Sequence, residues 1–279
     1  MKNFLLRLLA PYLYPKKPRE LIDVQIHIAD HCNLKCWGCD HFSPLANEGY
    51  ADVDGFTRDM RRLGEIFNGQ ASRIALLGGE PLLNPEVERF FPIARSFFPA
   101  APIHLVTNGV LLGSKPDGFW AACRHHNISI VVTIYPGLEK SFTANKDKAD
   151  SMGVMLLHYG KKPSVLKTSR HEPLDLEGRQ RPEDSFKRCP RANHCIQLLD
   201  GRLYTCTTVP NVRFFNNYFD KNLPISDKDS IDIHRAKNAS EIFNFLARPI
   251  PFCRFCNIKK SSRYHPWRIS DKNIKEWTA

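Results

Sequence analysis

The sequence predicts an α/β protein, a partial (β/α) barrel of parallel strands followed by a small C-terminal cysteine-rich α+β unit. Three observations carry that reading. Short β-branched and aliphatic runs alternate with segments of helical periodicity over residues 22–159. The alternation stops near Tyr159 and gives way to a polar stretch punctuated by prolines. Beyond that stretch lie five of the nine cysteines, arranged around a hairpin signal.

The first residues, MKNFLLRLLAPYLY, contain an apolar run that Arg7 interrupts and Pro11 follows, with no small-residue cleavage site. Residues 1–21 therefore read as a short amphipathic N-terminal helix docked on the body, a helix lying on a membrane surface being the alternative. No apolar run approaches the length of a bilayer span. The strand-like runs are 24–29, 73–77, 103–107, 128–134 and 154–158, and between them residues 54–67, 85–97 and 115–126 have apolar residues at helical spacing. This order implies a parallel sheet covered by helices, with too few units to close a barrel. Residues 160–188, with Pro163, Pro173 and Pro182, read as a connecting segment. Residues 189–279 form the second unit. There Asp200-Gly201 between two apolar runs marks a two-residue hairpin turn, which would set Cys195 opposite Cys206.

Composition narrows the function. With 42% hydrophobic and 25% charged residues the chain is an ordinary globular protein. Its formal charge of +11 favours an anionic partner: a phosphate, a nucleotide-linked substrate, nucleic acid or an acidic peptide. The basic residues are spread along the chain apart from a concentration at Lys259, Lys260, Arg263 and Arg268. Interleaved aromatics and glycines of the RNA-binding type are missing, so no nucleic-acid site is expected. An odd number of cysteines in irregular groups suits metal ligation in the cytoplasm better than a disulfide framework.

Cys32, Cys36 and Cys39 follow directly on the first strand, at the strand end where parallel barrels place their chemistry. Three thiolates in eight residues can wrap a soft-metal centre. His31 or His41 could complete a zinc site. Alternatively, three cysteines alone would leave one iron of a [4Fe–4S] cube open to another ligand. Spacing leaves both possibilities standing.

The ends of the later strands add three motifs. The second ends in Leu77-Gly78-Gly79-Glu80-Pro81, the third in Thr107-Asn108-Gly109, and the fourth carries Thr133 and Tyr135. With Cys-x3-Cys-x2-Cys after the first strand, this set resembles the radical S-adenosylmethionine superfamily. The resemblance implies a [4Fe–4S] cluster on Cys32, Cys36 and Cys39, its open iron chelated by the methionine amino and carboxylate groups of S-adenosyl-L-methionine. Gly78, Gly79, Glu80 and Pro81 match the family's GGEP motif, in which the glycines allow close backbone approach and Glu80 would receive the methionine ammonium. Thr107, Asn108 and Thr133 are the further cofactor-binding candidates. One departure stands out: the family usually has an aromatic residue just before the third cysteine, whereas here that residue is Gly38 and Trp37 lies one place earlier.

Cys189-x11-Gly201-x4-Cys206, with a distant Cys253-x2-Cys256, resembles the SPASM/twitch extensions of that superfamily, in the shorter twitch form. The resemblance implies a second, auxiliary [4Fe–4S] cluster on Cys189, Cys206, Cys253 and Cys256. Cys195 competes for one of those places, and a zinc knuckle is the alternative. Cys123, in a helix, reads as a buried small apolar residue.

The activity so implied is reductive cleavage of S-adenosylmethionine and abstraction of a substrate hydrogen by the 5′-deoxyadenosyl radical. A fully ligated auxiliary cluster fits oxidation or epimerisation of a small polar, sugar- or aminocyclitol-like substrate, anionic ones included. The electron would come from an external donor such as flavodoxin or ferredoxin. Two other classes remain: a radical maturase acting on a peptide or protein, and a non-enzymatic zinc-binding module. His27 shares the barrel-facing parity of Gln25. The tail residues Tyr264, His265, Trp267 and Trp277 are expected to cover the auxiliary cluster or to dock the tail on the barrel.

Overall fold

The computed structural model describes residues 20–160 and 164–279. All but the last two positions of the expected N-terminal helix fall outside them. The strands are β1 (Asp23–Ala29), β2 (Arg73–Gly78), β3 (Ile103–Thr107), β4 (Ile128–Val132), β5 (Leu156–His158), β6 (Thr168–His171), β7 (Ile196–Leu199), β8 (Arg202–Tyr204), β9 (Ser230–Asp232) and β10 (Ser262–Pro266). The helices are α1 (Val53–Ile66), α2 (Phe90–Phe97), α3 (Asp117–His125), α4 (Glu139–Ser151), α5 (Pro182–Arg188), α6 (Thr208–Phe219) and α7 (Ala239–Leu246).

The main sheet has the order β5-β4-β3-β2-β1-β7-β8-β9. From β5 to β7 every pairing is parallel, while β8 and β9 are antiparallel additions. The sheet does not close, which leaves β5 and β9 as edges of a partial barrel. The C-terminal hairpin is thus continuous with the parallel sheet, because β7 pairs with β1 from Val24↔Ile196 to Ile26↔Leu198. Within the expected connecting segment, β6 pairs with β10 in a separate two-stranded sheet.

Strand alternation sorts β1. Val24, Ile26 and Ile28 belong to the main core, which also takes Phe56, Met60 and Leu63 of α1 at helical spacing. Asp52 caps α1 by accepting the Gly55 N–H at 2.7 Å, a contact worth about 1 kcal/mol. Two expectations need correction. The helix expected from residue 85 begins at Phe90, because Asn84 ties the preceding turn to β1 by donating to the Ile28 carbonyl at 2.7 Å. Helix α4 was not foreseen: only Asn145 and Ala149 of it are buried, so it has no apolar stripe to read. A second core, with Phe42, Phe186, Phe215, Phe252 and Trp277 among its members, lies under the C-terminal cysteines. Among the described residues, no helix is long and apolar enough to cross a membrane.

Candidate functional site

The Cys32–Cys39 loop leaves the C-terminal end of β1 and is held from two sides. On the sheet side, Gly79 N–H donates to the Ala29 carbonyl at 2.8 Å and Glu80 N–H to the His31 carbonyl at 2.9 Å. A Cβ on Gly78 would lie 2.1 Å from the Ala29 carbonyl oxygen, and one on Gly79 would lie 2.0 Å from that of His31. These glycines thus let β2 approach the root of the cysteine loop. On the other side the C-terminal tail runs antiparallel to the loop: Trp37 N–H donates to the Arg268 carbonyl at 3.0 Å, and Ser270 N–H to the Lys35 carbonyl at 2.8 Å.

Strand β6 accounts for the departure at Gly38. Residue 38 has φ +61°, and a Cβ there would meet the Arg170 carbonyl oxygen of β6 at 2.6 Å. No aromatic side chain fits that position. Trp37 instead lies against His171, His265 and the Arg268 guanidinium, which is 4.4 Å from its ring.

Burial pushes the Cys32 thiol up to about 11, and Glu80 and Cys36 add to the rise. Burial and then Asp40 push Cys39 up to about 12, with Cys36 and Cys32 contributing. Cys32 and Cys39 therefore sit in each other's vicinity and in that of Cys36, and holding these two as thiolates requires a cationic centre. Around them the polar groups are oriented. Trp267 Nε1–H donates to Cys36 Sγ at 3.2 Å, and the Tyr135 hydroxyl is 3.6 Å from the same sulfur. Burial and the Cys36 thiol hold the Tyr135 hydroxyl well above its usual pKa, and its oxygen accepts from the Cys36 S–H. Asn108 Nδ2 lies 3.8 Å from Cys32 Sγ and donates to Asn33 at 2.7 Å.

Glu80 is completely buried. Its carboxylate accepts the Thr107 hydroxyl at 2.6 Å, the Asn108 N–H at 2.8 Å and the Leu82 N–H at 3.1 Å. Burial raises its pKa against those three bonds. A carboxylate has about four lone-pair sites, so one direction is left for an incoming ammonium. Pro81 opens the short turn Pro81–Leu83, which Glu80 caps. Thr133 is half-buried just past β4, and its N–H donates to the Thr107 carbonyl at 2.9 Å. The expected strand over 128–134 ends at Val132, because the chain turns at Tyr135-Pro136-Gly137, where Gly137 has φ +86°. His41, one candidate zinc ligand, donates Nδ1–H to the Gly78 carbonyl at 2.9 Å. Its ring packs 4.5 Å from that of His27.

His27 is buried, and burial, with His41 beside it, holds its pKa well below the usual 6.5. It lines a cavity of about 480 Å³ at the point where β1 and β7 part. Asp30, paired with Arg213 at 3.3 Å, and Asp59, paired with His234 at 2.9 Å, supply the polar walls.

The second cysteine group is assembled from distant segments. Cys189 ends α5, Cys206 follows β8, and Cys253 and Cys256 belong to the turn Pro251–Phe255 and its end. All four pack in or against the second core. Burial pushes Cys206 and Cys253 up to about 12 and holds Cys256 well above its usual value. Cys189 and Cys206 contribute to the rise at both Cys253 and Cys256.

The hairpin forms on Asp200 (φ +48°) and Gly201 (φ +71°) as expected. Its ladder, however, ends at Gln197↔Tyr204, and Asn193 takes the Thr205 carbonyl at 2.8 Å. Cys195 therefore does not face Cys206 across the strands. Burial raises its thiol to about 11, with Asp40, Arg191 and Cys189 as its charged surroundings. Cys123 is buried in α3, as expected. The tail docks on the barrel at the first cysteine loop, one of the two expected placements: besides Trp267, the Trp277 Nε1–H donates to the Cys39 carbonyl at 2.8 Å. Among the described residues, no three His, Cys, Asp or Glu side chains converge closely enough to hold a single metal ion.

Sequence reasoning passed over Asp40, Glu172 and Arg191. Arg191 pairs with Asp40 at 2.9 Å and, more closely, with Glu172. Burial alone would raise the Asp40 carboxyl, but the Arg191 guanidinium holds it well below the usual carboxylate range. The only available signal was position, Asp40 standing beside Cys39 and Arg191 two residues after Cys189.

No protein-family model matches the chain. It is 25% identical over 133 residues to GTP 3',8-cyclase of Campylobacter fetus subsp. fetus, covering 46% of this chain and 40% of that protein. To the GTP 3',8-cyclase of Clostridium perfringens it is 30% identical over 103 residues, covering 36% and 31%. The chain thus spans two fifths or less of the length of these curated relatives. Among solved structures it shares its fold with BtrN in complex with AdoMet and 2-DOIA, at TM-score 0.52 and 17% identity, over 86% of this chain and 94% of that one.

Proposed function

We propose, for a chain whose fold and sequence likeness support membership of the radical S-adenosylmethionine superfamily, a two-cluster enzyme that oxidises or epimerises a small polar substrate. One observation carries the reading: Cys32, Cys36 and Cys39 meet the GGEP, Thr107-Asn108 and Tyr135 strand ends on one rim of the parallel sheet. In that reading Cys32, Cys36 and Cys39 hold a [4Fe–4S] cluster, and Cys189, Cys206, Cys253 and Cys256 a second one. When bound, the first cluster supplies the electron for reductive cleavage of S-adenosylmethionine to a hydrogen-abstracting 5′-deoxyadenosyl radical.

The chain's own residues supply orientation and shelter. Glu80, fixed by Thr107 and Asn108, offers its remaining lone pair to the methionine ammonium. Gly78, Gly79 and Pro81 set the backbone that presents it, and Asn108 and Thr133 line the rim. Trp267 donates a hydrogen bond to the Cys36 sulfur, the Tyr135 hydroxyl lies beside it, and the tail covers the loop against water and oxygen. The Asp30, Arg213 and His27 cavity offers groups suited to a hydroxylated or amino-bearing molecule. The charge of +11 suits an anionic or nucleotide-linked substrate and an acidic electron donor of the flavodoxin or ferredoxin kind. We assign residues 22–159 to the catalytic core and 189–279 to the auxiliary unit, in a cytoplasmic enzyme.

The test is oxygen-free purification and reconstitution, followed by assay of iron, sulfide, zinc and 5′-deoxyadenosine under a strong reductant. About eight irons per chain, the content of two four-iron cubes, with cofactor cleavage lost on Cys32→Ala, is the expected result. Zinc without iron and no cleavage would replace this reading with that of a metal-stabilised binding protein.

A further inference from the structure

Arg191 occupies an unusual place between the two cysteine groups. Its guanidinium is 12% exposed, with Nη1 2.9 Å from Asp40 Oδ2 and Nη2 against Glu172, whose side chain is 5% exposed. Each member of this triad is anchored beside a candidate ligand. Asp40 directly follows Cys39. The Arg191 carbonyl accepts the Cys195 N–H at 2.8 Å, and Arg191 itself stands two residues after Cys189. Glu172 precedes Pro173, whose carbonyl accepts the Asn257 N–H at 2.9 Å, and Leu174 bridges to Cys256. The Arg191 Nε–H has no partner among the described residues.

We propose that Arg191, between Asp40 and Glu172, is an electrostatic bridge that sets the reduction potentials of the two clusters jointly; this rests on the two-cluster reading above. The reason is charge. Reduction adds a negative charge to a cluster, so a nearby cation favours the reduced form and a nearby carboxylate opposes it. In a buried site these interactions are weakly screened. Asp40 stands beside the first cysteine group and Arg191 and Glu172 beside the second, and the two ion pairs join them, so a change at one site would be felt at the other. A clamp serving stability alone would make no such demand, since buried ion pairs are often replaceable by apolar groups at little cost.

The experiment is an oxygen-free redox titration, followed by electron paramagnetic resonance, of the reconstituted full chain. Cys32→Ala isolates the second cluster's signal, and addition of S-adenosylmethionine marks the first. Asp40→Asn should raise the potential of the first cluster, and Glu172→Gln that of the second. Arg191→Met should lower both, and Arg191→Lys should restore most of the shift. A structural role would alter thermal stability or iron content without this pattern of opposite signs. Full iron content with unmoved potentials in Asp40→Asn and Glu172→Gln would overturn the bridge and leave the two-cluster reading intact. If Arg191→Met fails to load iron, those two milder variants and Arg191→Lys decide the matter. Wild-type protein without iron would overturn both readings.

Discussion

Cys32, Cys36 and Cys39 come from eight consecutive residues, whereas Cys189, Cys206, Cys253 and Cys256 come from three separate stretches of the C-terminal half. The first group is a loop pinned between a strand end and the tail, with all three thiols half-buried and polar donors aimed at them. The second lies in and against an apolar core, with Cys206 and Cys253 buried. A half-buried, donor-lined rim suits a second molecule beside a bound metal better than an enclosed apolar site does. That difference is the ground on which cofactor chemistry is proposed for the first group and an electron-holding role for the second.

The variant expected to do most is Cys32→Ala, which should abolish 5′-deoxyadenosine formation and remove about four irons while leaving the second cluster's four. Loss of all iron would show that the two sites are not independent. Next, Cys253→Ala should remove the second set of irons and lower the melting temperature sharply, because this group cross-links remote segments through metal. Cys195→Ala should keep full iron content; a loss there would make Cys195 a ligand after all.

Glu80→Gln sharpens the first region. The amide replaces an acceptor of three buried bonds and should cost roughly 2–4 kcal/mol by analogy with hydrogen bonds to charged groups. Calorimetry would read that loss, and cofactor binding should weaken with it. Trp267→Phe removes one N–H donor to Cys36 Sγ and should shift the first cluster to a lower potential and speed its bleaching in air, with the second cluster unchanged.

The smallest effect expected is a pH slope. His27 is held neutral by burial, with a pKa well below 6.5 in the fold. An unfolded chain takes up that proton near 6.5 while the folded one does not, so this contribution is present above 6.5 and is lost as pH falls below it. Thermal melts should therefore weaken from pH 7 to pH 5, and His27→Gln should flatten that slope. A slope identical in both proteins would point to His104, whose pKa burial also lowers.

Much of this molecule was legible from local sequence. Apolar alternation marks β1 to β4, and the α1 pattern at Phe56, Met60 and Leu63 marks a helix, because burial on one face imposes a period. Asp200-Gly201 marks its turn because two positive φ values require such residues. Helix α4 escaped for the converse reason, having a polar surface on nearly every side. The three cysteines of the first loop were readable because their ligands lie within one short segment.

The sequence by itself determined strands β1 to β5, the β7–β8 hairpin, helices α1 to α3 and the eight-residue cysteine loop, all of which are set by neighbours a few positions apart. Only the tertiary structure decided why residue 38 is glycine, where a β6 carbonyl crosses the loop, and that Trp267 serves Cys36. The same holds for the meeting of Asp40, Glu172 and Arg191. Most of these contacts join residues more than a hundred positions apart, and no local period or spacing records them, since they exist only once the chain has closed on itself.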